Sequence, residues 1–226
     1  MKQNKSQYLI SIMGDSISTY RGYNPYDALV YYDAEMAYEN GLADVHDTWW
    51  QSVIDNLGAA LCVNNSYSGS CVAGVSEHSA CSYYRCGNLH DSNQPDIILI
   101  YIGANDMGYK VEIGKDEQDN THKFYGAYRT MLRNLKNNYP NAKIICGTLL
   151  LCYANDYEAI PASESYKQIV ERYNGAIRAA VEAERCLLAD LAAFGERFET
   201  EDGLHPNKNG HATMAKLWAE CLNKLL

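Results

Sequence analysis

The stretch Tyr8-Leu9-Ile10-Ser11-Ile12-Met13-Gly14-Asp15-Ser16 decides how the rest of the chain is read. A largely apolar run leads directly into a glycine, an acid and a serine, as a buried strand does where it empties into a turn. Far downstream, Asp202-Gly203-Leu204-His205-Pro206 supplies a histidine with a carboxylate three residues before it. A serine hydroxyl is a weak nucleophile until a base takes its proton, and that base needs a third group to orient it. Ser16, His205 and Asp202 are candidates for the three roles.

Outward from the first run, strand and helix patterns alternate. Residues 48–61 carry Trp49, Trp50, Val53, Ile54, Leu57 and Leu61 at helical spacing, and residues 61–66 read as a short strand. Residues 96–102 are apolar almost throughout and follow Pro95, as expected of a strand covered on both faces. A helix over 123–139 is closed by Pro140, and residues 143–150 read as a further strand. A long amphipathic helix over 165–184, a short strand over 186–190 and a closing helix over 210–226 complete the series. Such alternation predicts a parallel sheet with helices on both faces, whose ligands sit beyond the carboxyl ends of the strands. Ser16, the Ser66–Ser70 stretch and Gly103-Ala104-Asn105-Asp106 each follow a strand, so all three converge on one edge.

Composition bounds the answer further. The 226 residues contain no Pro/Ser/Gly-rich linker, so residues 1–226 read as a single domain with a tyrosine-rich insertion at about 19–45. Nineteen basic against 28 acidic residues leave a net charge of -9, which disfavours nucleic acid and anionic membrane as partners. No run approaches the ~18 apolar residues of a membrane span. The segment before Tyr8 lacks the long apolar core of a secretory signal, so the chain reads as cytoplasmic as written, or as secreted if a leader has been removed. On the same reasoning the eight cysteines read as reduced thiols, several of them packed as small hydrophobes.

Four blocks match a known pattern. Gly14-Asp15-Ser16-Ile17 resembles the Gly-Asp-Ser-Leu block of the GDSL, or SGNH, hydrolases, with isoleucine in place of leucine. Asn65-Ser66-Tyr67-Ser68-Gly69, Gly103-Ala104-Asn105-Asp106 and Asp202-Gly203-Leu204-His205 resemble the second, third and fifth blocks, in family order. The resemblance implies a flavodoxin-like three-layer α/β/α sandwich and ester hydrolysis with neither metal nor organic cofactor. Carried over by position, Ser16 is the nucleophile, His205 the base and Asp202 its orienting acid. The oxyanion hole would comprise the backbone N–H groups of Ser16 and Gly69 and the side-chain amide of Asn105. An amide fits that task, since it can donate to a developing oxyanion without carrying a charge.

Other features are weighed beside this frame. Asp106 reads as a helix cap or loop brace, Asp15 as a holder of the nucleophile loop, and His46 and His211 as surface or packing residues. His78, Cys81, Cys86 and His90 have the ligand types of a zinc site, but their spacing matches no common pattern and Arg85 would set positive charge among them. A surface loop with buried thiols is the preferred reading. Tyr20, Tyr23 and Tyr26 follow the nucleophile and could form a platform for a sugar, as aromatic rings with polar edges do. Of the adjacent Trp49 and Trp50, one is expected in the core and the other, Trp50, on the site wall. The leading expectation is removal of a small acyl group, acetyl foremost, from a carbohydrate ester. Lysophospholipase or thioesterase activity, acyl transfer to a sugar hydroxyl, and a carbohydrate-binding protein without catalysis are the alternatives.

Overall fold

A computed structural model describes residues 8–114, 120–154 and 164–226. The seven N-terminal residues read above as lacking a secretory signal lie outside these, and so does part of residues 108–121, whose polar and charged sequence predicts a surface loop. Seven strands are described: β1 (Leu9–Gly14), β2 (Ala60–Ser66), β3 (Ile97–Tyr101), β4 (Lys143–Gly147), β5 (Leu151–Ala154), β6 (Leu187–Ala189) and β7 (Arg197–Thr200). The helices are α1 (Ala34–Glu39), α2 (Trp49–Asn56), α3 (Tyr83–Gly87), α4 (Ala104–Gly108), α5 (Phe124–Asn138), α6 (Glu164–Glu184) and α7 (Lys208–Leu225).

Five strands form one wholly parallel sheet in the order β2-β1-β3-β4-β6. Its central strand β3 is Ile-Ile-Leu-Ile-Tyr, buried at every position because helices cover both faces. α2 packs with α7 on one side, where Trp49 and Trp218 stack at 5.2 Å, and α5 packs with α3 and α6 on the other. This is the three-layer α/β/α sandwich.

The register sets the site. Gly14 of β1 lies abreast of Ser66 on one neighbour and Tyr101 on the other, so three strand ends finish level. The segments beyond them are short, which brings Ser16, Gly69 and Asn105 to one edge. Gly14 also clears space for that turn, since a Cβ there would sit 2.6 Å from Ser18 Oγ.

Two departures from the sequence expectation matter. The apolar run over 143–150 is one strand only as far as Gly147, where a Cβ would strike Trp218 at 2.6 Å. Asn174 of α6 then clamps the main chain of Leu149, accepting from its N–H at 2.7 Å and donating to its carbonyl at 2.9 Å. The chain resumes as β5, which pairs parallel with β7 in a separate two-stranded sheet. Neither partner of that small sheet was expected, and β7 is the strand that delivers the Asp202–His205 loop.

Candidate active site

Ser16 opens a single 3-10 turn, Ser16–Ser18, capped by Asp15, whose Oδ1 accepts from Ile17 N at 3.1 Å. The turn holds the serine hydroxyl at the end of β1, 6% exposed. His205 reaches it from the other end of the chain: Nε2 lies 2.9 Å from Ser16 Oγ and Nδ1 lies 2.6 Å from Asp202 Oδ2. The other carboxylate oxygen of Asp202 accepts the backbone N–H groups of Leu204 (2.9 Å) and His205 (2.7 Å), so the loop folds around its own acid. Burial pushes the Asp202 carboxyl upward, but the bonds from His205 and Leu204 outweigh it and hold the group well below the usual carboxylate range. It is therefore ionised and acceptor-only, which leaves the Nδ1 proton on His205 and the Nε2 lone pair facing Ser16.

The histidine loop is tied down on every side. Gly203 N donates to Thr200 Oγ1 at 2.9 Å, Cys152 of β5 donates its thiol to the Gly203 carbonyl, and Pro206 bridges back to Thr200. Asn207 caps α7 by accepting from Gly210 N at 3.0 Å.

Gly69 and Asn105 follow the ends of β2 and β3, the two strands that pair with β1 on either side. Gly69 has φ +75, the left-handed region that favours glycine, and sits in a turn closed by Ser70 N donating to Tyr67 O. Asn105, in the first turn of α4, donates one N–H of its amide to Ser70 O at 3.0 Å, which fixes its rotamer against that same turn. Asp106 is a brace: fully buried, it accepts Val72 N at 2.7 Å and Ala73 N at 2.9 Å. Burial raises its carboxyl to about 6 despite those two bonds, and raises that of the equally buried Asp15 to about 7, with Asp106 adding to the effect.

Two residues to which the sequence assigned no place in the site organise this edge. Arg85 of α3 is fully buried and bonds to the Gly14 carbonyl (3.0 Å), the Asn65 carbonyl (2.8 Å), Ser70 Oγ (2.8 Å) and His78 O (2.7 Å), with its guanidinium 4.5 Å above the Tyr67 ring. It thus joins the first two sequence blocks. The signal was present as a lone arginine among apolar and thiol residues. The second residue is Tyr31, whose ring stacks on His205 and whose hydroxyl donates to Asp202 Oδ2 at 2.9 Å.

The expected aromatic wall is only partly there. Tyr20 and Trp50 are buried, at 4% and 0% exposed, because the insertion folds down over α2 and sets Tyr23 against both rings. Trp50 is therefore core, like Trp49, and neither Trp50 nor Tyr20 presents a face to solvent. Tyr23 stays 42% exposed and Tyr26 fully so. His211 is core as well, accepting from Trp49 N through Nδ1, while His46 is exposed and paired with Asp55 at 2.6 Å. The thiols of Cys81 and Cys86 each donate to a backbone carbonyl, and His90 bonds to the Tyr139 hydroxyl. Among the described residues no three His, Cys, Asp or Glu side chains are grouped to hold a metal, and all eight cysteines are free.

Two hollows open beside Asn105 and Gly69, neither of them lined by Ser16 itself. On the Asn105 side a mainly apolar cleft of ≈ 740 Å³ is lined by Met107, Val111, Ile113, Tyr173 and Leu204. On the Gly69 side a smaller hollow of ≈ 470 Å³ carries Asp27, Tyr67, Ser68, Ser70 and His78. No described helix is long and apolar enough to cross a membrane.

A parallel α/β/α scaffold with hydroxyl, imidazole and carboxylate in line at its strand ends has the form of a hydrolase working through a serine. The chain belongs to the GDSL-like lipase/acylhydrolase family, whose model matches residues 8–177, and it is a carboxylic ester hydrolase. Solved structures agree in fold. A protein assigned to the GDSL-like lipases from Bacteroides ovatus superposes with TM-score 0.76 at 24% identity, covering 97% of this chain and 100% of that one. One from Bacteroides uniformis gives 0.74 at 27% identity, covering 97% of each. A family two carbohydrate esterase from Clostridium thermocellum gives 0.57 at 18% identity, covering 96% of this chain and 64% of that one. No curated protein matches the sequence.

Proposed function

We propose that the chain hydrolyses an ester of a polar alcohol, a carbohydrate in the first instance, through an acyl-enzyme on Ser16. The observation that carries this is the unbroken line from Asp202 Oδ2 through His205 to Ser16 Oγ. His205 takes the hydroxyl proton as Ser16 Oγ attacks the carbonyl carbon, and returns it to the departing alcohol oxygen. Water, deprotonated by the same imidazole, then attacks the acyl-enzyme, and Ser16 recovers its proton as the acid leaves. Asp202 fixes the imidazole tautomer and stabilises the imidazolium. The backbone N–H groups of Ser16 and Gly69 and the second amide N–H of Asn105 receive the oxyanion.

The hollow beside Gly69 carries Asp27, Ser68 and His78 on an otherwise mainly apolar lining, and these carboxylate, hydroxyl and imidazole groups support a hydroxyl-bearing alcohol there. Exposed Tyr23 and Tyr26 support the same reading. The cleft beside Asn105 favours a second reading of the acyl half. It is larger than acetyl needs and its apolar lining suits an extended chain, as in lysophospholipase or thioesterase substrates. A series of p-nitrophenyl esters from acetyl to decanoyl, alongside acetylated sugars and with Ser16→Ala as control, tests both. Ser16→Ala is expected to abolish turnover with an unchanged circular dichroism spectrum; full activity in that variant would remove the mechanism. A maximum at acetyl supports the small-acyl reading, and a maximum at longer chains assigns the cleft to the acyl group.

A further inference from the structure

We propose that Tyr31 is a positioning residue for His205, its ring face stabilising the imidazolium that forms when Ser16 attacks. The inference rests on the reading of Ser16, His205 and Asp202 as the reacting set. The two rings lie face to face with centroids 3.4 Å apart and planes 14° from parallel. Nothing in that geometry suits a neutral pair, because two stacked π faces repel at their centres and prefer offset or edge contacts. A cation over the ring is different: it is attracted by the negative face. The stack therefore gains strength at the step in which His205 acquires its proton.

The hydroxyl keeps the ring in place. It donates to Asp202 Oδ2 at 2.9 Å, the same oxygen that meets His205 Nδ1, so one carboxylate aligns imidazole and phenol together. Burial, and then the bond to Asp202, push the phenol well above its ordinary range, so it stays a donor at every working pH. The backbone on either side is anchored too. Tyr31 N donates to Thr19 Oγ1 at 2.9 Å, and the Tyr32 hydroxyl donates to Pro206 O at 2.7 Å, one residue beyond the histidine. The tyrosine-rich insertion thus grips the histidine loop at two adjacent points.

An interaction stronger in the transition state than in the ground state raises kcat and leaves KM alone. Removing the ring should cost roughly 3- to 30-fold in kcat, the range for a partly desolvated cation–π contact. The test compares wild type, Tyr31→Phe, Tyr31→Leu and pentafluorophenylalanine at position 31, all on p-nitrophenyl acetate. Phe keeps the face and is expected within about threefold of wild type in kcat. The fluorinated ring keeps shape but reverses the quadrupole, so its kcat should fall to the level of Tyr31→Leu, with KM unchanged in both. Leu changes the packing of the loop, whereas the fluorinated ring, slightly larger than Phe, keeps the planar shape and reverses the electrostatics. Equal kcat for Phe and its fluorinated analogue overturns the inference, as does a loss confined to KM, which would make Tyr31 a substrate contact. Ser16→Ala, run in parallel, separates the two readings. If it stays active, the mechanism itself fails; if it is dead while the ring series is flat, only the role of Tyr31 falls.

Discussion

Asp15 illustrates how much of the site is built on buried charge. The residue beside Ser16 is sealed from water, and burial lifts its carboxyl to about 7 against an ordinary value near 4. Between those values the folded state binds more protons than the unfolded chain, so this group removes stability as pH rises through the window. Asp15→Asn keeps the acceptor for Ile17 N and removes the charge. Its thermal midpoint relative to wild type should therefore climb from about pH 4 to about pH 7, and an offset constant with pH would contradict the assignment. Asn105 is the other single-residue test. Asn105→Ala should lower kcat by ~10²–10³ with little change in KM, as loss of one oxyanion donor does. A rise in KM alone would make it a binding residue. Ser16, Asp202 and His205, which the structure brings together, stood out because few residue types can do the proposed chemistry, whereas Asn105 entered only through the family resemblance. Tyr31 was not, since 171 positions separate it from Asp202 and only the fold brings them within hydrogen-bonding distance. Arg85 was weighed only as a charge set against zinc; its bracing role was hidden because its partners are mostly backbone carbonyls that no sequence displays.

At the scale of elements, the site depends on where chain segments stop. Strands β1, β2 and β3 were legible from their apolar runs, and their level ends follow from parallel register. The small sheet of β5 and β7 was hidden for two reasons. The apolar run after β4 continues past the point where Asn174 bends the chain away, and Arg197-Phe198-Glu199-Thr200 is too short for its alternation to stand out. Yet β7 aims the histidine loop, and α7 locks its far end. Asn207 serves as the lock: it caps Gly210 N, and its amide also donates to Glu199 (2.8 Å) and Glu201 (2.7 Å). Asn207→Ala should cost about 1–2 kcal/mol in a denaturant titration, the range for a lost N-cap. An unchanged midpoint would mean that the loop is held by the β7 contacts alone.

Across the whole molecule, residues near both ends of the chain meet over one sheet edge, and the insertion between β1 and α2 closes over them. That insertion was read as a tyrosine platform for substrate. It is instead divided, with Tyr20 in the core, Tyr31 on the histidine and only Tyr23 and Tyr26 open among the aromatic residues first singled out. Packing decides this division, because a long segment laid over buried tryptophans must bury rings of its own. In the proposed mechanism the layered fold serves one chemical event, transfer of an acyl group to Ser16. Acid-quenching the enzyme during turnover of p-nitrophenyl acetate, digesting it and weighing the peptides measures that event directly. The peptide spanning Gly14-Asp15-Ser16 should carry one acetyl group on Ser16, and none should form in His205→Ala. Hydrolysis with no acetyl on Ser16, or with the label on another residue, would contradict the account.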